Sequence, residues 1–119
     1  VYVAPPDYHL LVNPDQTLLL THSSRVHFVR PSADVLFESV AAVYQERAIS
    51  VVLSGAGSDG SMGVQAIKTL GGTVIAQDQT TSEFFGMPEA AIDTGCVDFV
   101  LPVSEISLKL IGLVGVTPE

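Results

Sequence analysis

Ile49-Ser50-Val51-Val52-Leu53-Ser54-Gly55-Ala56-Gly57-Ser58-Asp59-Gly60-Ser61-Met62-Gly63 is the stretch from which the fold is read. It opens on a short, nearly continuous apolar run rich in β-branched residues, the pattern of a strand buried on both faces. Gly55, Gly57 and Gly60 then break the run, with one carboxylate, Asp59, among them. Helical spacing resumes at Met62, Val64, Ala66, Ile67 and Leu70, with Lys68 in the last turn and Gly71 placed for a left-handed cap. Strand, glycine loop and helix in that order predict an open α/β sheet with the loop at its carboxyl edge, where ligands bind.

Downstream, Thr73 to Gln77 reads as a second strand and Asp78 to Phe85 as a polar connection. Pro88 suits the first position of a short helix running to Thr94 and closed by Gly95. Val97 to Leu101 predicts a third strand, and Ser104 a cap for a final helix bearing Ile106, Leu108, Leu110, Ile111 and Leu113. Upstream, Tyr2-Val3-Ala4 predicts a short strand stopped by Pro5-Pro6. His9 to Val12 and Thr17 to Thr21 flank the turn sequence Asn13-Pro14-Asp15-Gln16 and predict an antiparallel hairpin. Thr21 to Arg30 reads as a loop or edge segment. Ser32 is placed as an N-cap, with Asp34 in the first turn and Leu36, Phe37, Val40, Ala41, Val43 and Tyr44 on the apolar face of a helix reaching about Arg47. The expected class is α/β: a three-layer αβα arrangement with a mostly parallel sheet and an antiparallel hairpin near the N-terminus.

The 119 residues fit one domain or a piece of one, and no apolar run reaches the length of about 18 that a membrane span needs. A net charge of −8, with five scattered basic residues, argues against nucleic acid and anionic membranes as partners. The single cysteine, Cys96, excludes an internal disulfide and fits a reducing cytoplasm, where it reads as a small buried filler. No spacing of His, Cys, Asp or Glu supports a metal site, and no cofactor is expected.

Gly55-Ala56-Gly57-Ser58-Asp59-Gly60 matches the dinucleotide fingerprint G-x-G-x-x-G, and Asp78 follows at about the right distance of twenty residues. Electrostatics opposes that reading: two unit charges about 4 Å apart repel by roughly 4 kcal/mol at an effective dielectric of about 20. Asp59 would stand beside the pyrophosphate, and the loop holds no basic residue to offset it. Two readings of Asp59 remain. It is a helix cap, or it is the carboxylate that orients a histidine in a Ser-His-Asp arrangement. The two are compatible, since one oxygen can accept a backbone N–H while the other faces imidazole.

Ser54-Gly55-Ala56-Gly57-Ser58-Asp59-Gly60 resembles the TGMGxDG motif of the chemotaxis protein-glutamate methylesterases, the CheB catalytic domain. Four further blocks resemble that family in order. Val3-Ala4-Pro5-Pro6-Asp7-Tyr8-His9-Leu10 matches Y-I-A-P-x-x-x-H-[ML], and Arg30 to Phe37 matches R-P-S-V-D-V-L-F. Ile75 to Asp78 and Phe85 to Ala91 match I-A-Q-[ND] and F-G-M-P-x-x-A. The similarity runs from Val1 to about Leu113.

The resemblance implies a serine hydrolase that removes methyl esters from glutamates on chemoreceptor cytoplasmic helices and deamidates particular glutamines. Asp59 would be the third triad member and Ala56 the backbone oxyanion donor, although Ala56 stands where the family has methionine. The family's serine and histidine lie upstream of the block matching Val1 to Leu10. Residues 1–114 are therefore expected to be the C-terminal two-thirds of the catalytic domain, with 115–119 a tail, and inactive alone. Exposed sheet surface would make such a fragment a homo-oligomer, and an upstream receiver domain is a candidate partner. The competing reading is a non-catalytic interaction module of the same fold in bacterial signalling.

His9 reads as structural or substrate-lining, and His22 and His27 as solvated. Asp78 reads as an exposed loop acid or a site-lining one. Met87, Phe84 and Phe85 read as packing residues, and Arg30 as a surface or capping arginine.

Overall fold

The computed structural model describes residues 1–26 and 29–115, so His27 and the tail residues 116–119 lie outside the described residues. The turn after Val12 sets the first unit. Asn13 N–H donates to the Thr17 carbonyl at 2.8 Å, and the Asp15 carboxylate accepts the Thr17 N–H at 3.0 Å. That closure pairs β1 (His9–Val12) antiparallel with β2 (Leu18–Thr21), from His9 opposite Thr21 to Val12 opposite Leu18. The predicted hairpin is present. The described residues between Thr21 and Arg30 form no strand beyond one bridge, Val26 to Val29.

Next come α1 (Ala33–Tyr44), a single 3-10 turn (Gln45–Arg47), β3 (Ile49–Val52), α2 (Ser61–Thr69), β4 (Thr73–Gln77), α3 (Gly86–Asp93), β5 (Phe99–Leu101) and α4 (Val103–Leu113). The three later strands form a parallel sheet in the order β3-β4-β5. The central place of β4 explains its sequence: Val74, Ile75 and Ala76 are all fully buried, as a strand covered on both faces must be. One face carries the main core of Ala41, Ala48, Val52, Val64, Ile67, Val74 and Ala91, with Phe37 and Met87 packed against it. Ile75 alternates to the other face, where α4 packs on β4 and β5 and buries Ile106. The expected α/β class with helices on both faces and a separate antiparallel hairpin is what is found.

Four local expectations need correction. Tyr2 to Ala4 forms no strand, because it has no ladder partner among the described residues, and Tyr2 and Val3 are exposed. The third helix begins at Gly86, two residues early, which puts Pro88 inside the first turn and fully buried. The last strand begins at Phe99 because the Asp98 carboxylate, rather than a strand carbonyl, accepts the Val74 N–H at 2.8 Å. Pro102 occupies the N-cap of α4, so Ser104 lies within the helix and does not cap it. Gly71 behaves as predicted: its φ is 91°, and the Gly72 N–H closes α2 on the Ile67 carbonyl at 2.8 Å.

Helices α1 and α2 pack closely because Gly63 lacks a side chain. A Cβ there would lie 2.6 Å from the Phe37 Cβ and 3.1 Å from the Asp34 Cα. This contact brings the N-terminus of each helix to the loop leading into the other.

Candidate active site

The glycine loop leaves the carboxyl end of β3 and is fastened from two sides. On one side, Gly55 N–H donates to the Phe84 carbonyl at 2.9 Å, and Phe84 N–H donates to the Ser54 hydroxyl at 2.9 Å. Met87 N–H returns to the Gly55 carbonyl at 2.9 Å. The side-chain amide of Gln77, itself buried, accepts the Ser54 N–H at 2.8 Å and donates to the Thr81 carbonyl at 2.7 Å. A Cβ on Gly86 would meet the Gly57 carbonyl oxygen at 3.0 Å and the Gly57 nitrogen at 3.1 Å, so the two segments touch backbone to backbone. The blocks around Gln77 and Gly86 therefore hold the loop in place. Nothing in their spacing marks that role; only the parallel pairing of β3 with β4 brings them there.

The other side is the start of α1. Gly60, at φ 98°, turns the chain where an L side chain would be strained, and Asp59 is left half-buried beside α1. One carboxylate oxygen accepts the Ser32 hydroxyl at 2.8 Å and the Asp34 N–H at 3.2 Å. The other accepts the Ala33 N–H at 2.6 Å. Asp59 thus caps a helix, though not the one it precedes. Ser32 sits at the N-cap of α1 without capping it, since its hydroxyl is turned to Asp59. Asp34 returns the arrangement: its buried carboxylate accepts the Gly63 N–H of α2 at 2.7 Å. Asp59, from the loop before α2, thus serves the N-terminus of α1, and Asp34, in the first turn of α1, accepts one N–H from the first turn of α2, the charge placement the macrodipole favours.

An ionised carboxylate offers about four lone-pair sites, and α1 fills three of those on Asp59. One further N–H donor can be accepted without displacing any of them. Close by in the chain, Ala56 is exposed, and its backbone N–H has no hydrogen-bond partner among the described residues. Leu53, Met62 and Phe84, which border the loop in the chain or by contact, are also exposed. Phe84 is thus not a core residue; it serves the loop through its backbone, while Met87 does pack against the core.

The remaining candidates go elsewhere. His9 is fully buried and lines no surface. Exposed His22 pairs with Asp7 at 2.8 Å. The Arg30 side chain is 12% exposed rather than superficial: Nε and Nη2 donate to Asp7, and Nη1 to the Ser23 carbonyl. The hydrogen bond from His22, then that from Arg30, lowers the Asp7 pKa to about 2. Asp78 closes its own turn on Thr81 and Thr80, whose hydroxyls, Thr81's first, lower its pKa. Cys96 is partly buried against the core. A cavity of about 370 Å³ lies at the opposite end of the strands, lined by Glu46, Arg47, Ile49, Thr73, Leu113 and Val114, and includes none of the loop residues.

Residues 1–110 match the family model of the CheB methylesterase. The chain belongs to the CheB methylesterase family. The crystal structure of the Thermotoga maritima CheB methylesterase catalytic domain superposes with a TM-score of 0.91 at 40% identity, covering 94% of this chain and 61% of that one. A relative from Leptospira interrogans is 47% identical over 113 residues, which is 95% of this chain and 58% of its own. The Halobacterium salinarum protein-glutamate methylesterase/protein-glutamine glutaminase is 49% identical over 109 residues, covering 88% of this chain and 31% of that protein. The chain thus spans little more than half, or less, of the CheB relatives it matches. Among the described residues no helix is long and apolar enough to cross a membrane.

Proposed function

We propose that this chain supplies the carboxylate-bearing part of a protein-glutamate methylesterase and glutaminase that works as a serine hydrolase on chemoreceptor helices in the cytoplasm. The observation that carries this reading is Asp59, held by three donors at the start of α1 and so left, by a carboxylate's count of about four acceptor sites, with one to spare, in the same loop as the Ala56 N–H, which has no partner among the described residues. Relatives named for this activity support it.

In this reading Asp59 accepts the Nδ1–H of a catalytic histidine and stabilises the imidazolium that forms when serine loses its proton. The serine oxygen adds to the ester carbonyl, and the Ala56 N–H donates to the oxyanion. Collapse expels methanol from a glutamate ester, or ammonia from a glutamine, and water then releases the glutamate from the acyl-enzyme. The serine and histidine come from the part of the family's domain outside these 119 residues, so this stretch alone does not complete the reaction. Exposed Leu53, Met62 and Phe84 offer an apolar border for a receptor helix. A receiver domain upstream is the proposed regulatory partner.

The test is release of methanol from methyl-esterified chemoreceptor by the complete gene product. It should proceed together with covalent labelling of one serine by a fluorophosphonate. Absence of both would end the esterase reading.

A further inference from the structure

We propose that His9 is a positioning residue for the Asp59 carboxylate, acting through the backbone of Ser32. His9 opens β1 and is fully buried, so it cannot touch a substrate. Both ring nitrogens face partners whose roles are fixed by their chemistry. Nδ1 lies 3.1 Å from the Ser32 backbone nitrogen, an N–H that can only donate. Nε2 lies 3.0 Å from the Ser24 carbonyl, which can only accept. The ring is therefore a neutral tautomer with its proton on Nε2.

Ser32 is where this contact acquires a consequence. The residue is buried, and the three donors on Asp59 are its own hydroxyl and the next two backbone N–H groups. An acceptor on the Ser32 N–H fixes the peptide unit that enters Ser32, immediately before the three donors. Without it, a buried N–H at a helix N-terminus is left unpaired, and the end of α1 must shift to find another partner. Such a shift moves the groups that hold Asp59, whose geometry a triad requires to be close. His9 and Asp59 are fifty residues apart by numbering and do not touch; they are linked by one hydrogen-bonded residue.

The catalytic consequence rests on the esterase reading above, but the positioning rests on the hydrogen bonds alone, and the experiment separates them. His9→Leu removes the acceptor. His9→Asn restores one, because its side-chain oxygen takes the place of Nδ1. By amide hydrogen exchange, Ala33 and Asp34 should exchange about tenfold faster in His9→Leu. They should return to near the parent rate in His9→Asn, with the β4 amides of Ile75 and Ala76 unchanged in both. Unchanged protection of Ala33 and Asp34 in His9→Leu, or no recovery in His9→Asn, overturns the proposal.

In the complete gene product, kcat for ester hydrolysis should fall by about tenfold in His9→Leu with KM unchanged, and recover in His9→Asn. An unchanged kcat alongside faster exchange also overturns it. A parent without esterase activity, showing the expected exchange pattern, would sink the esterase reading and leave the positioning supported. Should His9→Leu not fold, nitrogen-15 spectra of the parent decide. A coupling across the hydrogen bond from the Ser32 amide to an unprotonated Nδ1 supports the assignment, and a proton on Nδ1 overturns it.

Discussion

Replacing Gly63 by alanine tests the packing that brings Asp59 to α1. In an open helix the change should stabilise, since alanine is favoured over glycine by about 1 kcal/mol. Here the added methyl would lie 2.6 Å from the Phe37 Cβ, 3.0 Å from its Cδ2 and 3.1 Å from the Asp34 Cα. Neither a Cβ nor a backbone atom can swing aside, so α1 and α2 must separate. Overpacking of this kind costs roughly 1–3 kcal/mol. Separation also stretches the 2.7 Å bond from Gly63 N–H to Asp34, and a hydrogen bond to a charged group contributes about 1.5–3 kcal/mol. Partial loss of that bond, with the clash and against the helix gain, gives a net destabilisation of about 1–2 kcal/mol. Urea unfolding followed by circular dichroism should show a lower midpoint with an unchanged slope. The matched control is Gly112→Ala in α4, where a Cβ meets nothing within 4 Å and the helix preference alone should act, raising stability slightly. A Gly63→Ala protein as stable as the parent, or stabilised as much as the control, would refute the close crossing of the two helices.

Ser50 lies on β3 with its hydroxyl buried and without a partner among the described residues, so Ser50→Ala should leave the thermal midpoint unchanged or raise it. A marked fall would show that the hydroxyl is satisfied after all. The Asp7 pKa is lowered to about 2 from an ordinary 3.8, so its contribution to stability is full above the ordinary value and is lost as pH falls through the folded one. Asp7→Asn should therefore flatten the fall of the thermal midpoint between about pH 4 and 2, and an identical pH profile in both proteins would contradict the pairing. Gly86→Ala would press a methyl against the Gly57 backbone and displace the glycine loop. In the complete gene product it should lower ester hydrolysis by about tenfold or more while leaving most of the stability, and full activity would show that the loop is not held there.

Much of this was legible because local signals and tertiary placement agreed. The apolar run of β3 was legible as a parallel strand, but its predicted burial on both faces is only partly met: Ser50 and Val52 are buried while Ile49 and Val51 are half-buried, because β4 and not β3 is central among the described strands. Asn13 to Gln16 carries its own turn chemistry, so the hairpin needed no distant partner. Asp59 was visible as a carboxylate among glycines, but not its holder: Ser32, Ala33 and Asp34 lie far upstream and meet it only because α1 crosses α2 at Gly63. The roles of Gln77 and His9 were hidden for the same reason, since hydrogen bonds between distant segments leave no period in a sequence. Tyr2 to Ala4 failed in the opposite way. A pattern suited to a strand does not create the neighbour that a strand needs.

The central claim is that the Asp59 carboxylate, held by donors at the start of α1, serves an imidazole. Asp59→Asn in the complete gene product measures this most directly, with kcat for methanol release compared at equal folded fraction. Loss of the acid that sets the histidine tautomer should lower kcat by about 10³–10⁴-fold. A variant that folds and turns over at the parent rate would contradict the account.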